Sequence, residues 1–167
     1  MKADLLDCDD DGWVFQEVHE YVQDLLGENW HPISNVELLK NAPQSIKNIY
    51  YLWQFSAEVG GNGLYNYIVN DYECYSNEEW LATHQAMLAI KDINLAQRFE
   101  SAVLLGFDID DIALVHDKNK FSHFKIHSEF NHLDKLDKDI YQIVNTPLET
   151  KAAQYIRNHS AEIFDLP

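Results

Sequence analysis

A chain of 167 residues, 46% of them apolar and 13% aromatic, is long enough to bury the core of one ordinary domain. Its 28 acidic and 12 basic residues give a formal net charge of -16, which disfavours nucleic acid and anionic membranes as direct partners, since both are negatively charged, and favours a basic protein. The start MKADLLDCDD lacks the apolar segment of a signal peptide, no stretch approaches roughly 18 apolar residues, and Cys8 and Cys74 lie far apart, so we expect a cytoplasmic protein without membrane spans or a disulfide framework.

Near the start, the stretch Asp7-Cys8-Asp9-Asp10-Asp11-Gly12-Trp13 resembles the first half of an EF-hand calcium loop. Asp7, Asp9, Asp11 and Gly12 occupy its first, third, fifth and sixth positions. The twelfth position, which has to supply a bidentate carboxylate, is Val18. We therefore interpret the stretch as dense negative charge ahead of a helix, and not as a calcium site.

A first helix follows, because apolar residues recur there with the helical period and Gly27 comes next as a C-cap. Its apolar row comprises Val14, Val18, Tyr21, Val22, Leu25 and Leu26. A second helix begins at Pro43 and runs to a glycine break at residues 60–63. A short apolar and aromatic helix over about residues 64–72 comes after the break.

Four further helices complete the pattern. Ser76 or Asn77 caps the first, Asp92 precedes the second, a longer one spans about residues 122–144, and Pro147 opens the last. We expect the helices after the first to bury Ile46, Ile49, Tyr50, Trp53, Ala57, Trp80, Leu81, His84, Met87, Leu88, Leu95, Phe99, Ala102, Val103, Ile126, Phe130, Leu133, Leu136, Ile140, Ala152, Ile156 and Ile163. Because no stretch alternates with period two, the sequence predicts one compact all-α domain over residues 1–167, with about seven helices.

Negative charge is concentrated near the N-terminus, where residues 1–30 hold nine acidic residues and one lysine. On the first helix, acids at spacings of three, four and four lie opposite the apolar row. The candidate binding surface combines these acids with the preceding run and with two smaller clusters. Its residues are Asp7, Asp9, Asp10, Asp11, Glu17, Glu20, Asp24, Glu28, Asp71, Glu73, Glu78, Glu79, Asp108, Asp110 and Asp111.

Two interpretations of this charge stay open. Acids one helical turn apart put a charge about every 5 Å along the axis, which is sparser than the roughly 3.4 Å per strand of duplex DNA. One helix therefore cannot copy a duplex, whereas several clusters on one side of the fold imitate a phosphate backbone better. Alternatively, the acids keep the chain soluble, and those ahead of a helix interact favourably with its positive end.

The sequence offers little support for catalysis. His123 and His127 lie four apart on a predicted helix, but the glutamate of an HExxH motif is missing, and a third ligand would have to come from His116, Glu129 or His132. Phosphate-binding glycine loops and a nucleophile elbow are also missing from the sequence. We expect no active site, no metal and no cofactor.

The most distinctive stretch runs from Tyr50 to Asn70. It combines an aromatic helix, a glycine-rich turn that tolerates positive φ, and a second helix that packs back. The straightforward interpretation is a helical corner in the core, with polar side chains that satisfy backbone groups at the turn. Its motif residues are Trp53, Glu58, Asn62, Gly63, Tyr67 and Asn70.

This stretch resembles the signature E-V-x-N-G-G-F-x-Q-Y-F-x-N of a bacterial family of small all-helical domains that includes an acidic DNA-mimic protein. The identical positions are Glu58, Val59, Gly63, Tyr67 and Asn70, whereas Gly61-Asn62 stands where the pattern has Asn-Gly. The resemblance covers about residues 36–107. It implies an all-α domain without enzymatic activity that presents a DNA-like negative surface to a transcription regulator and can form a homodimer.

Three hypotheses for function follow. The first is a non-enzymatic DNA mimic that occupies the nucleic-acid-binding surface of a basic partner, such as a transcription regulator. The second is an immunity protein that neutralises a toxin such as a basic nuclease, with charge steering association and aromatic anchors holding the complex. The third, which the sequence supports least, is a metal-dependent hydrolase that uses the histidines of residues 116–132.

Overall fold

The computed structural model describes residues 2–26, 39–71, 77–107, 140 and 147–164, and these residues form helices and no strand. The helices are α1 (Lys2–Leu6), α2 (Asp11–Leu26), α3 (Gln44–Asp71), α4 (Asn77–Ala89), α5 (Ile93–Phe107), α6 (Pro147–Asn158) and α7 (Ser160–Phe164). The predicted all-α single domain is confirmed. The helix predicted over residues 122–144 lies outside the described residues except for Ile140, which is buried.

Helix α3 is the centre of the fold, because α2, α4, α6 and α7 all pack against it, and α5 packs on α4. An aromatic cluster joins α3 to α4 and α5. The Tyr67 ring lies 5.4 Å from that of Phe55 and 5.3 Å from that of Trp80, and the Phe99 ring lies 5.4 Å from that of Phe55. Edge-to-face pairs of this kind add roughly 0.5–1.5 kcal/mol each to the burial of the rings.

The predicted glycine break is narrower than the sequence suggested. Gly60 and Gly61 lie within α3, and a Cβ on either would meet no neighbouring atom. Only Gly63 leaves helical geometry, with φ 80° and ψ 160°. That backbone conformation is essentially restricted to glycine. Gly63 therefore kinks α3 so that Leu64, Tyr67 and Ile68 turn into the core, where all three are buried.

Asp92 precedes α5, as the sequence predicted, and it both caps this helix and ties it to α6. Its Oδ1 accepts the Leu95 backbone N–H at 3.1 Å, and the Lys151 Nζ lies 2.9 Å from its Oδ2. Asp92 is only 2% exposed. A buried carboxylate requires a partner. The hydrogen bond from Leu95 and the ion pair with Lys151 together compensate for burying the Asp92 carboxylate.

Most predicted core positions within the described residues are buried, but Leu25, Ala57 and Leu88 are exposed. On α4 the buried row runs through Glu79, Thr83 and Met87, so Leu88 faces solvent. On α3 the buried side shifts to Leu52, Phe55 and Val59 before the kink, which leaves Ala57 outside. On α2 the row from Val18 through Val22 turns towards Leu26, which packs against the core in place of Leu25.

Candidate partner-binding surface

The acidic stretch of residues 7–13 forms the turn between α1 and α2 and the first turn of α2. Asp10 caps α2, because its Oδ1 accepts the Trp13 N–H and its backbone carbonyl accepts the Val14 N–H, both at 3.0 Å. Its own N–H donates to the Cys8 Sγ at 3.4 Å. An aspartate at this position satisfies N–H groups that the helix leaves unpaired. Part of the negative charge is therefore structural.

Arg157 of α6 holds this turn against the rest of the fold. Its Nε donates to the Leu6 carbonyl at 3.1 Å, and its Nη2 donates to the Cys8 carbonyl at 2.7 Å. Its Nη1 lies 2.7 Å from the Asp11 Oδ1 in an ion pair. All three guanidinium nitrogens are thus used within the chain. Asp11 is paired internally and offers less charge to a partner than the sequence suggested.

Glu149, at the start of α6, adds a third carboxylate beside Asp10 and Asp11. Its Oε2 lies 3.2 Å from the place that a Cβ on Gly12 would occupy, so the glycine makes room for this approach. Burial raises the pKa of the Glu149 carboxyl, and the charges of Asp10 and Asp11 raise it further. Sequence reasoning missed Glu149, because it is distant in the chain and belongs to no acidic run.

The two sides of α2 differ sharply in chemistry. The inner side buries Val14, Phe15, Val18, His19 and Val22. The outer side carries three acids of the row predicted from sequence, of which Glu20 and Asp24 are exposed and Glu17 is half-buried. Asp7 and Asp9, ahead of the helix, are exposed as well.

Trp13 also lies on the outer side, four residues before Glu17, and 43% of its surface is exposed. It therefore heads the acidic row of α2. From the sequence, Trp13 was considered only as part of the acidic stretch. Its spacing of four residues to Glu17 already places both side chains on the same side of a helix.

The other predicted acids are placed differently. Glu79 is only 4% exposed, because it lies on the buried row of α4, and it does not present its carboxylate to a partner. Asp71 ends α3, and Glu78 lies in the first turn of α4. Five predicted acids lie outside the described residues: Glu28, Glu73, Asp108, Asp110 and Asp111.

Two motif residues of α3, Trp53 and Tyr67, contribute to packing. Trp53 stacks on His19 of α2 with the ring centroids 4.6 Å apart, and it meets the Phe15 ring edge-on at 5.1 Å. Tyr67 is buried in the aromatic cluster, and Glu58 is half-buried. Asn62 and Asn70 occupy positions in α3 on either side of the Gly63 kink. Burial lowers the pKa of His19 to about 4, so this ring is neutral at pH 7.

Within the described residues, no three His, Cys, Asp or Glu side chains are arranged to hold a metal ion. His116, His123, His127, Glu129 and His132, the ligands considered above, lie outside those residues, as does Cys74. Cys8 is a partly buried free thiol. None of the helices in the described part of the chain is both long and apolar enough to cross a bilayer.

These features define a small, acidic, all-helical domain whose N-terminal helices carry a charged outer side. The chain belongs to the DMP19-like protein family, whose model matches residues 40–159. DMP19 is a DNA mimic, which is a non-enzymatic class of protein. Comparison with curated proteins found no match, and comparison with solved structures found none either.

The family match differs in extent from the resemblance described above. It continues past residue 107 as far as residue 159, and it therefore includes α6 and Arg157. It begins at residue 40, so α1 and α2 lie ahead of it. The helices that carry the densest charge thus lie ahead of the family-matched residues.

Proposed function

We propose that this protein is a DNA mimic, a non-enzymatic acidic protein that occupies the nucleic-acid-binding surface of a basic partner such as a transcription regulator. The observation that carries the proposal is membership of the DMP19-like family together with a net charge of -16. Nine of the acids fall within residues 1–30. Solubility alone does not require that concentration.

The physical basis is substitution of carboxylates for phosphates. A protein that binds DNA arranges lysines and arginines to match a dense row of negative charge. The acids of α2 supply one charge per turn, about every 5 Å, so additional carboxylates beside them have to complete the pattern. Those ahead of the helix, Asp7 and Asp9, are exposed and available. We propose that the acids near residues 71–78 and 108–111 extend the same surface.

The acids that a partner would contact are separable from those that the fold needs. Asp10 caps α2 and Asp11 pairs with Arg157, so neutralising either one would disturb the structure as well as the charge. Glu17, Glu20 and Asp24 make no such contact with a neighbouring helix among the described residues; Glu20 accepts only a hydrogen bond from Gln16 on its own helix, at 3.0 Å. They are the residues to change.

The test is capture of partners from an extract of the native cell on the immobilised protein, at low and at high salt. The bait variants are Glu17→Gln/Glu20→Gln/Asp24→Asn and the matched control Asp4→Asn/Glu100→Gln/Glu162→Gln, which removes the same charge from three other helices. We expect a DNA-binding protein that is released by salt, is retained by the control and is lost by the first variant. Duplex DNA should displace it from the wild-type bait.

Two results would overturn the proposal. One is that DNA and the bait bind the captured protein simultaneously, because a mimic and its model must compete. The other is equal capture by both variants, which would show that the charge of α2 is not used. Capture of a toxin whose activity the protein blocks would support the immunity hypothesis in its place.

A further inference from the structure

Trp13 has surroundings unlike those of the other tryptophans in the described residues. Trp80 is 1% exposed inside the aromatic cluster, and Trp53 packs against His19 and Phe15. Trp13 is 43% exposed on the outer side of α2, at the head of the acidic row. Apolar surface of this size is costly to expose in water, and tryptophan is among the residue types enriched in the anchors of protein interfaces.

We propose that Trp13 is the anchor at which a partner's arginine binds, and that it selects a protein partner by a contact that DNA does not offer. This inference rests on the proposed function and specifies the partner's chemistry. A guanidinium can lie flat on the indole face while its N–H groups donate to carboxylates nearby. Glu17 lies one turn further along α2, about 6 Å along the axis, which is within reach of such a side chain.

Charge complementarity favours an arginine-bearing segment over other occupants. From residue 3 to residue 39 the chain has no lysine and no arginine, so the segment that carries Trp13 supplies no cation of its own. Arg157 reaches this end of α2 but is committed to Leu6, Cys8 and Asp11. An apolar partner segment would have to desolvate the carboxylates of the row without compensation.

The contact also explains how a DNA mimic can bind differently from DNA. The outer surface of a duplex presents phosphates, which bind lysine as a point charge and arginine through its N–H groups, whereas an exposed indole adds a face on which only the guanidinium stacks. Helix α2 lies ahead of the family-matched residues 40–159. Trp13 therefore adds selectivity on a helix that the family-matched region does not include.

The test uses two defined probes, dye-labelled deca-arginine and deca-lysine peptides, titrated with the full-length protein at two salt concentrations. The variants are Trp13→Ala, Trp13→Phe and, as a matched control, Leu88→Ala, which trims a side chain of similar exposure, 45%, on α4. Circular dichroism confirms that each variant is folded. We expect wild type to prefer deca-arginine, and Trp13→Ala to reduce that preference about threefold to tenfold. Trp13→Phe should retain part of it and Leu88→Ala all of it.

The preference ratio separates this inference from the proposed function. The assignment of Trp13 as an anchor is wrong if Trp13→Ala keeps the wild-type preference for deca-arginine over deca-lysine, or if Leu88→Ala loses as much of that preference. Mimicry of DNA by charge alone would still be compatible with either result. If Glu17→Gln/Glu20→Gln/Asp24→Asn binds both peptides as tightly as wild type at low salt, the acidic row attracts no basic chain. The proposed function then fails whatever Trp13 does.

Discussion

Helices α1 and α2, here called the N-terminal layer (residues 2–26), and the region from α3 to α6 use their residues in different ways. The α3–α6 region is held together by rings that meet in its interior, with Phe55, Tyr67 and Phe99 nearly or fully buried. The N-terminal layer buries mainly aliphatic side chains along one side of α2 and places carboxylates on the other. One region supplies a core, and the other supplies a charged surface attached to it.

Specific contacts attach the N-terminal layer to the α3–α6 region, and these contacts explain how the fold tolerates so much negative charge. His19 stacks on Trp53, and Arg157 binds the turn between α1 and α2 at three points. Like charges one turn apart on a helix each destabilise it by a few tenths of a kcal/mol. The inner side of α2 and the Arg157 contacts offset that repulsion, so the outer side is free to carry charge for binding.

Among the substitutions that test the difference between the two regions, Phe99→Ala is expected to reduce stability most. Phe99 is fully buried, with its ring centroid 5.4 Å from that of Phe55 and 6.2 Å from that of Trp80. We expect the free energy of unfolding in urea, followed by circular dichroism, to fall by about 3–5 kcal/mol. Ile93→Ala on the same helix, where Ile93 is 61% exposed, should change stability by less than about 0.5 kcal/mol. Similar losses for both variants would contradict a core centred on this cluster.

The second prediction concerns pH and the joint between the two regions. The pKa of His19 is about 4 in the folded protein against 6.5 for the unfolded chain. Between these values the unfolded state binds the proton and the folded state does not, so stability present above pH 6.5 is lost as the pH falls. The loss should reach about 1 kcal/mol at pH 5.5 and about 3 kcal/mol at pH 4.

The measurement is urea unfolding from pH 7.5 down to pH 5.5, which stays above the range where most carboxylates titrate. His19→Gln cannot titrate, so its stability should depend less steeply on pH even though its absolute stability is lower. Burial also lowers the pKa of His84, and this second histidine contributes a loss of the same sign in both proteins. If the free energy of unfolding of His19→Gln depends on pH as steeply as that of the wild type, the His19 ring is not buried in its neutral form.

A smaller effect is expected from Arg157→Met, which keeps the length of the side chain and removes its donors. Loss of the bonds to Leu6, Cys8 and Asp11 should destabilise the N-terminal layer by about 2 kcal/mol, because these bonds involve a charged donor that is partly exposed. Hydrogen exchange should quicken in α1 and the first turn of α2 and stay unchanged in α5. Arg98→Met removes the same charge from α5 and is the control.

Faster hydrogen exchange throughout α5 in Arg157→Met would contradict the distinction between the N-terminal layer and the α3–α6 region. The N-terminal layer and the α3–α6 region would then unfold as one cooperative unit, and α1 and α2 could not be treated as an attached surface.

Local patterns made much of this fold predictable. The spacing of Val14, Val18 and Val22 defined the inner side of α2, and Asp92 marked the start of α5, because both signals act within one or two helical turns. A glycine-rich turn that tolerates positive φ was predicted over residues 60–63 for the same reason, and Gly63 alone adopts that conformation. These features depend on neighbours in the chain.

The features that position the binding surface depend on contacts between distant residues. Arg157 binds Leu6 and Cys8 across almost the whole chain, and the stack of His19 on Trp53 joins separate helices. No periodicity predicts such pairs. Glu79 was placed on the surface by its charge, although its spacing of four to the buried Thr83 puts it on the inner row of α4. Composition identified the acidic character of the chain, and only the fold separates structural carboxylates from exposed ones.

The smallest prediction examines that separation at one residue, by comparing Asp10→Ala with Asp10→Ser. Alanine removes both the cap on the Trp13 N–H and the charge beside Glu149, whereas serine removes only the charge and can still accept the bond. We expect Asp10→Ala to lower the free energy of unfolding at pH 7 by about 1 kcal/mol, and Asp10→Ser to lower it by a few tenths at most.

The raised pKa of Glu149 means that this carboxyl contributes stability at low pH that is lost as the pH rises through the folded-state value. In Asp10→Ser that loss should shrink, because one of the neighbouring charges that raises the pKa is gone. Equal losses for the two variants at pH 7 would mean that the capping bond contributes nothing and that Asp10 serves only as surface charge.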